Sequence, residues 1–411
     1  MASINSVGAN TNSIMYSMSS PSFFDSISKD EPFYELFQPL IRFGNWFGLC
    51  FKTTSSSLPY KVFLSVYFAI ASVTLLVPIG ILVNDAAIRP DIGSFFNETT
   101  LMQFLALAFY LMAFSGHCVT ARVQLTEMSK VADILMNEMG KEVLPYRNYI
   151  VRVSIVFCVV VILFSGANSA VIFSSFAYDS FLYMPFVTRH PDFMWINFPF
   201  VFFPTMSMGY CCAFYAVFCS IVALNLKSLG KAMLRNTGSV PIMTYERKYQ
   251  MLHEASKSID CLYSTHCFLV FAFVIPMLCV LFYWLLMKNE EGVKTSALLF
   301  WVCVTLSIFF FYVVPAVLIF EGGDHLLEVV FTMHHQAYKS SVGVQQEIHY
   351  LVNHISTTHT GISAAGFFVI TRQFIITLFS AVATYFVILL QFGLSLKQES
   401  SSSCVNVTSS C

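Results

Sequence analysis

Five polar side chains recur at helical spacing in the apolar stretch 363–392. They are Gln373, Thr377, Ser380, Thr384 and Gln391. On an α-helix this spacing places them on one face, with Ile388 filling the gap before the last of them. Lipid does not favour such a face, because each amide or hydroxyl in hydrocarbon needs a partner or water. The face predicts either polar contacts between packed helices or the wall of a water-filled path that ions could cross.

The end of the same stretch carries a recognisable motif. It reads Thr-Tyr, five apolar residues and Gln-Phe, and it occupies Thr384, Tyr385, Gln391 and Phe392. Upstream residues of the same pattern are Gly366, Phe367, Phe368, Ile370 and Arg372. The motif resembles the last membrane helix of the arthropod gustatory receptors, a family within the seven-transmembrane chemoreceptor superfamily that also includes the insect odorant receptors. Thr371 departs from the acidic residue that many members carry before the arginine.

The resemblance implies a function for this helix. Receptors of this kind are ligand-gated, non-selective cation channels, which assemble as homo- or heterotetramers of gustatory receptor subunits. By this analogy the last helix lines a central pore, an aromatic ring closes it, and amides replace part of the water around a passing cation. The pore and gate residues implied are Thr384, Tyr385, Ile388, Gln391 and Phe392.

Composition predicts a membrane protein around this helix. The 411 residues are 56% hydrophobic and 11% charged, roughly half the charged content of soluble domains. Seven apolar runs are near the length that a bilayer requires. They cover 61–83, 100–121, 149–175, 195–225, 264–287, 295–320 and 363–393. We therefore expect an all-α polytopic membrane protein with seven transmembrane helices.

The runs divide the chain into parts with different expected roles. A cytoplasmic arm contains a short amphipathic or re-entrant piece at 33–50, and helical extensions of the spans form an anchor bundle in the cytoplasm. The expected parts are the arm 1–60, transmembrane helices 1–6 with the ligand pocket 61–320, the cytoplasmic anchor connection 321–362, the pore-lining helix 363–393 and an extracellular tail 394–411.

Two independent features predict the orientation. The glycosylation sequons at Asn97 and Asn406 are separated by six spans, an even number, so both can lie on the lumenal side. Of the 22 Lys and Arg residues, 17 fall on the opposite side, which is then cytoplasmic. We therefore expect a cytoplasmic N-terminus and an extracellular C-terminus, the reverse of a G-protein-coupled receptor.

The residue patterns give no indication of catalysis or of a cofactor. The sequence lacks a spaced Ser/His/Asp set, a Gly-rich phosphate loop and an intramembrane carboxylate pair. The scarcity of Asp and Glu in the spans also argues against proton-driven transport. The net charge of −1 gives no indication of nucleic-acid binding. We expect a protein that is not an enzyme and needs no cofactor.

Clustered histidines and a pair of C-terminal cysteines are candidate metal ligands and a candidate cross-link. Six of the ten histidines lie in the predicted connection 321–362: His325, His334, His335, His349, His354 and His359. The last three are five residues apart and point to different sides of a helix, so solvated or interhelical side chains are favoured over a metal or proton sensor. Cys404 and Cys411 flank Asn406 and either form an extracellular disulfide or remain free.

The ligand pocket that the resemblance implies lies among spans two to six and faces outward. Its candidates are the polar and aromatic residues in the outer halves of these spans, Gln103, Ser165, Asn168, Ser169, Trp195, Asn197, Tyr283, Trp284 and Trp301. Aromatic rings with a few amides and hydroxyls suit a small neutral or weakly polar ligand. The alternative is that the Trp and Tyr residues are interfacial anchors, their ordinary role at the ends of spans.

These features together predict a gustatory receptor in the plasma membrane of sensory neurons, surrounded by lipid and opened by a small extracellular tastant. A seven-span receptor that signals through a cytoplasmic partner and a small-molecule transporter are the alternatives. The tastant's class, whether sugar, bitter compound or nutrient, stays open. Phe386 stands where the sugar-receptor branch often has an acidic residue, which weakens the resemblance to that branch.

Overall fold

Long helices account for most of the residues that the computed structural model describes. Those residues are 39–40, 42–44, 58–88, 98–125, 147–173, 194–235, 241–287, 292–336, 342–358 and 360–407. The helices are α1 (Leu58–Ile88), α2 (Glu98–Leu125), α3 (Arg147–Phe173), α4 (Met194–Arg235), α5 (Ile242–Met287), α6 (Gly292–Gln336), α7 (Val342–Thr357) and α8 (Arg372–Val407). A short antiparallel hairpin, β1 (Ser363–Ala364) and β2 (Phe368–Val369), joins α7 to α8.

Apolar segments of these helices coincide with the seven predicted spans. Within the described residues, five helices hold a segment long and apolar enough to cross a membrane. The segments are Gln103–Ala121, Asn148–Ala170, Pro199–Arg235, Ile242–Leu285 and Thr295–His335. Shorter apolar segments, Phe68–Asn84 and Arg372–Ile388, lie in α1 and α8, the first and last of the predicted spans.

Three of the described helices are about twice as long as a bilayer requires. α4, α5 and α6 contain 42, 46 and 45 residues. At about 1.5 Å per residue, each is roughly twice the thickness of a hydrocarbon core. These helices therefore project beyond the membrane, and α7 packs against the projecting part of α6 through the buried side chains of Ile348, Leu351 and Ile355.

α4 is the central helix of the bundle, in contact with α1, α2, α3, α5 and α6. Large side chains such as Tyr210, Tyr215 and Phe218 are fully buried along it. Gly209 permits a close approach to α3, because a Cβ atom there would lie 2.6 Å from Cγ1 of Val161. The described part of the N-terminal arm reaches this core, since the ring of Phe43 stacks on Tyr210 with centroids 5.8 Å apart.

The start of the last predicted helix is corrected by the structure. The range 363–393 was predicted to be helical throughout, but its first residues form the hairpin and the helix begins at Arg372. The turn requires Ala365 and Gly366 to adopt positive φ angles of 49° and 76°, which a helix excludes. The hydroxyl of Ser363 accepts the N–H of Gly366 at 3.2 Å and closes the turn.

The end of the last helix also differs from its prediction. The segment 394–411 was predicted to be a tail, yet α8 continues to Val407. The physical reason is that no Gly or Pro occurs after position 393 to stop the helix. Asn406 and Cys404 therefore lie in the last turns of α8, whereas Cys411 is outside the described residues.

Candidate functional site

One side of α8 is attached to its own bundle through aromatic rings. Phe374 contacts Phe271 of α5, with ring centroids 5.4 Å apart, and stacks on Phe368 of the hairpin at 4.3 Å. Further along the helix, Phe386 meets Phe282 of α5 at 6.0 Å. These contacts fix which side of α8 faces inward, and they leave the opposite side uncovered within the single chain.

The uncovered side carries the polar stripe that the sequence predicts. All five of its side chains are exposed: Gln373, Thr377, Ser380, Thr384 and Gln391. Ile388, in the gap of the stripe, is 39% exposed, and Tyr385, at its edge, is 61% exposed. The side chain of Phe392 is outside what the structure describes. The five stripe side chains therefore face away from the protein, and the uncovered part of the helix also carries the exposed apolar side chains of Ile376 and Val387.

The hydroxyl groups of the stripe are bonded to the helix backbone in a common way. Thr377 donates to the carbonyl oxygen of Gln373 at 3.0 Å, and Ser380 donates to that of Ile376 at 3.0 Å. Thr384 donates to the carbonyl oxygen of Ser380 at 2.9 Å. Because the hydrogens are used inside the helix, the exposed oxygens present lone pairs outward. Oxygens of this kind are able to accept hydrogen bonds from water and to coordinate cations without carrying charge.

The N-terminus of α8 is fixed by a cap and an ion pair. The hydroxyl of Thr371 accepts the N–H of Phe374 at 3.2 Å, the geometry of a helix N-cap. Nε of Arg372 pairs with the carboxylate of Glu321 on α6. Thr371 thus caps the helix in place of the acidic residue that the resemblance leads one to expect, and the arginine has its acidic partner on another helix.

The hairpin before α8 is tied to α5. The carboxylate of Asp260 accepts the N–H of Ser363 at 2.6 Å and its hydroxyl at 2.9 Å. The N–H of Ala365 donates to the carbonyl oxygen of Ser264 at 2.9 Å. The position of α8 is therefore coupled to α5 by polar bonds at its base and by aromatic packing along its length.

A pocket lies between α2, α3, α4 and α6, separate from α8. Its empty volume is about 630 Å³, including the space at its mouth. The rings of Phe109, Phe157, Phe164 and Phe311 line it with aliphatic side chains. Among the described lining residues, hydroxyl groups belong to Thr205 and Ser307 alone.

Some of the predicted pocket residues lie beside this wall. Asn168 is buried and its Nδ2 donates to Oγ1 of Thr205 at 3.0 Å. Trp301 packs edge-on against Phe109, with centroids 6.3 Å apart. Ser165 and Ser169 are buried on the same helix as Asn168.

The remaining candidates lie elsewhere. Trp284 is buried on α5, Tyr283 and Gln103 are half-buried, and none of the three lines the pocket. The side chains of Trp195 and Asn197 are outside the described part of the chain. Sequence reasoning missed Thr205, Ser307 and the four phenylalanines, because a hydroxyl or a ring in an apolar run looks like ordinary packing.

The histidines do not form a metal centre in the described part of the chain, where no group of three His, Cys, Asp or Glu side chains has ligand geometry. His354 is half-buried, with Nδ1 3.9 Å from Oε1 of Glu246. His325, His334, His335 and His349 are exposed. His359 and the sequon residue Asn97 are outside the described residues.

Comparison with known proteins identifies the fold. The chain resembles the olfactory receptor OR5 of Machilis hrabei with a TM-score of 0.71 and 13% identity, over 88% of this chain and 98% of that one. The complex of OR5 with eugenol matches with a TM-score of 0.67 and 12% identity, over 88% and 100% of the two chains. This likeness confirms the predicted all-α, seven-transmembrane-helix fold.

Sequence comparison identifies the family. Gustatory receptor family protein 3 of Caenorhabditis elegans is 30% identical over 149 residues, which are 35% of this chain and 33% of that protein. High-energy light unresponsive protein 1 of the same organism is 24% identical over 192 residues, 44% of each chain. The chain thus spans less than half the length of these relatives. The model of the 7tm chemosensory receptors matches residues 37–396, and the protein belongs to this family of multi-pass membrane receptors.

Proposed function

We propose that the protein is a taste receptor that is itself a ligand-gated, poorly selective cation channel. Several copies, a homo- or heterotetramer, surround an axis lined by α8. The observation that carries this proposal is the exposed polar side of α8, opposite the rings that attach the helix to its own bundle. Lipid does not stabilise five polar side chains on one helical face, whereas a water-filled path does.

The conducting path takes its character from that side. Hydroxyl oxygens of Thr377, Ser380 and Thr384 face outward with free lone pairs, and the amide of Gln391 continues the row. Neutral oxygens substitute for hydration water around a cation but select poorly among small cations. Phe392, next along the helix, is the proposed aromatic gate, with Ile388 one turn before it.

Ligand binding supplies the free energy of opening. The proposed ligand site is the pocket between α2, α3, α4 and α6, and the ligand shifts the equilibrium because it binds the open state more tightly. The conformational change that accompanies opening is transmitted to α8 through α5 and α6. These two helices hold α8 by ring contacts, by the Asp260–Ser363 bonds and by the Glu321–Arg372 pair. No nucleotide or G protein takes part in this route.

Current in excised membrane patches tests the proposal. The full chain is expressed in oocytes, alone and with other gustatory receptor subunits, and inside-out patches are exposed to a panel of small molecules without nucleotides. The proposal predicts unitary cation currents that a ligand increases. Responses that vanish on excision and return with cytosol would indicate signalling through a cytoplasmic partner, and saturable uptake without unitary currents would indicate a transporter.

A further inference from the structure

The wall of the pocket is almost entirely apolar, and this composition specifies the class of ligand. Its rings and aliphatic side chains suit a lipophilic molecule, and of the lining residues that the structure describes, Thr205 and Ser307 alone contribute hydroxyl groups. The inference drawn from these groups rests on the proposed function, because it takes this pocket as the ligand site. The kind of ligand that binds most tightly then depends on whether the two hydroxyls donate or accept hydrogen bonds.

Both hydroxyl hydrogens are already used. Thr205 donates to the carbonyl oxygen of Val201 at 2.8 Å, and one of its lone pairs accepts the amide of Asn168 at 3.0 Å. Ser307 donates to the carbonyl oxygen of Cys303 at 2.7 Å. A hydroxyl oxygen has two acceptor sites, so each of these oxygens keeps at least one. The pocket therefore offers acceptors, and a ligand with a donor gains a hydrogen bond there that a ligand without one does not.

The mouth of the pocket lies between α3 and α6. Its two exposed lining residues are Val160 on α3 and Ser307 on α6. Two ring pairs bridge these helices at the pocket, Phe164 with Phe300 at 5.9 Å and Phe157 with Phe311 at 5.0 Å.

The surface around the mouth is apolar. Its exposed side chains include Val156, Val159, Leu163 and Phe310. In a membrane-spanning bundle such a surface faces lipid. A ligand that passes between the two ring pairs therefore arrives from the hydrocarbon layer, and it must dissolve there first.

We propose that the pocket binds a compact lipophilic molecule with one hydrogen-bond donor, such as an alkylphenol, which enters from the bilayer between α3 and α6. A sugar is excluded, because most of its hydroxyls would be buried against rings without partners. A hydrocarbon or an ether of the same shape fits the rings but leaves the acceptors of Thr205 and Ser307 unused.

Binding to the full chain in lipid nanodiscs tests the proposal without any need for current. The probes are tritiated 4-ethylphenol and its competitors 4-ethylanisole, which replaces the donor by a methyl ether, and sucrose. Uptake by empty nanodiscs is subtracted, and affinities are corrected for partition into lipid. The phenol is expected to bind roughly threefold to tenfold more tightly than the ether, the effect of one net hydrogen bond. Sucrose is expected not to compete.

Matched variants test whether Thr205 and Ser307 cause the preference for the phenol over the ether. Thr205→Val and Ser307→Ala remove the acceptors, and the double variant is expected to bind phenol and ether equally. Ser307 is exposed, so its single variant keeps the test valid if the buried Thr205→Val misfolds. The control is Thr120→Val, which removes a buried hydroxyl that likewise donates to a carbonyl, that of Gly116 at 2.9 Å, away from the pocket. It is expected to keep the preference.

Several outcomes would overturn the proposal. They are equal affinity for phenol and ether in the parent chain, competition by sucrose, a preference that survives the double variant, and a bound lipid chain that no probe displaces. The result is separable from the channel hypothesis. Selective phenol binding without current, both alone and with other gustatory receptor subunits, refutes the channel and leaves the ligand class standing. Sucrose-gated current refutes the ligand class and leaves the channel standing.

Discussion

At the residue scale, whether a hydroxyl donates or accepts a hydrogen bond decides what its oxygen can bind. Three hydroxyls on α8 and two in the pocket are all bonded to backbone carbonyls of their own helices. In the proposed channel the first set therefore presents oxygens to cations, and in the proposed ligand site the second presents oxygens to a ligand donor. Neither set carries a charge, so both work without the cost of placing an ion in lipid.

Gln391 and Phe392 are predicted to set conduction and closure. Gln391→Ala removes the amide that replaces hydration water, so single-channel conductance or cation selectivity changes. Phe392→Ala removes the aromatic gate, so current without ligand rises. Both are measured in patches at equal surface expression, with Val342→Ala, an exposed substitution on α7, as the control that behaves like the parent. Parent-like conductance and basal current in both variants would refute the gate.

Close packing between α3 and α4 gives a prediction about stability. Gly209→Ala places a Cβ atom 2.6 Å from Val161, so a helix must shift, at a cost of about 1–3 kcal/mol. Gly166→Ala is the matched control on α3, where nothing lies within 4 Å of the added atom. Thermal unfolding of the purified protein in detergent is expected to show a lower midpoint for the first variant only. Adding Val161→Ala to Gly209→Ala is expected to restore part of the loss, and failure to do so would place the cost elsewhere.

At the element scale, the hairpin links the proposed pore helix to the long α5 through hydrogen bonds. Its turn is short, its bonds to Asp260 involve a charged acceptor, and α8 begins within three residues of its second strand. Movement of α5 therefore reaches the base of α8 directly.

Removal of the Asp260 carboxylate is predicted to loosen this link. Asp260→Ala leaves Ser363 without its acceptor, which costs roughly 1.5–3 kcal/mol. Protease cleavage within 360–371 should become faster. Asp260→Asn keeps an acceptor oxygen and should have a smaller effect. Equal cleavage rates in the parent and both variants would show that the hairpin is held by its apolar contacts instead.

Sequence reasoning predicted the elements whose polar and apolar residues repeat at a regular spacing. It missed the elements that depend on a few neighbouring residues. The stripe from Gln373 to Gln391 was predicted because it repeats with the period of a helix, and the structure confirms that one face exposes it. The hairpin at 363–369 was missed because its residues are as apolar as a span, and Gly366 alone indicated the turn. The lining residues of the pocket were missed because no sequence pattern tells a ring that lines a cavity from a ring that packs.

At the scale of the whole molecule, orientation decides which ends of the helices meet cytoplasm and which meet the outside. The projecting parts of α4 and α5 carry six basic residues, Lys227, Lys231, Arg235, Arg247, Lys248 and Lys257, and this concentration predicts that they lie in the cytoplasm. The ligand side and the proposed gate at Gln391 then lie toward the outer surface.

Glycosylation mapping is predicted to confirm this orientation. Asn97→Gln removes a site expected on the lumenal side, so the protein should lose one glycan and migrate faster after electrophoresis. A sequon engineered within 236–240, between α4 and α5, should stay unmodified. A glycan on the engineered site would reverse the orientation and with it the assignment of the gate to the outer end of α8.

Cysteine accessibility along α8 tests the central claim most directly. The background replaces by Ser the exposed cysteines and those outside the described side chains, Cys50, Cys118, Cys261, Cys303, Cys404 and Cys411. Single cysteines at Thr377, Ser380 and Thr384 are compared in it with cysteines at Leu378 and Val382 on the attached side. Charged thiol reagents are applied while ligand-evoked current is recorded. The stripe cysteines are predicted to react and to block the current, whereas the attached side stays inert. Inert stripe cysteines together with reactive ones at Leu378 and Val382 would contradict the account.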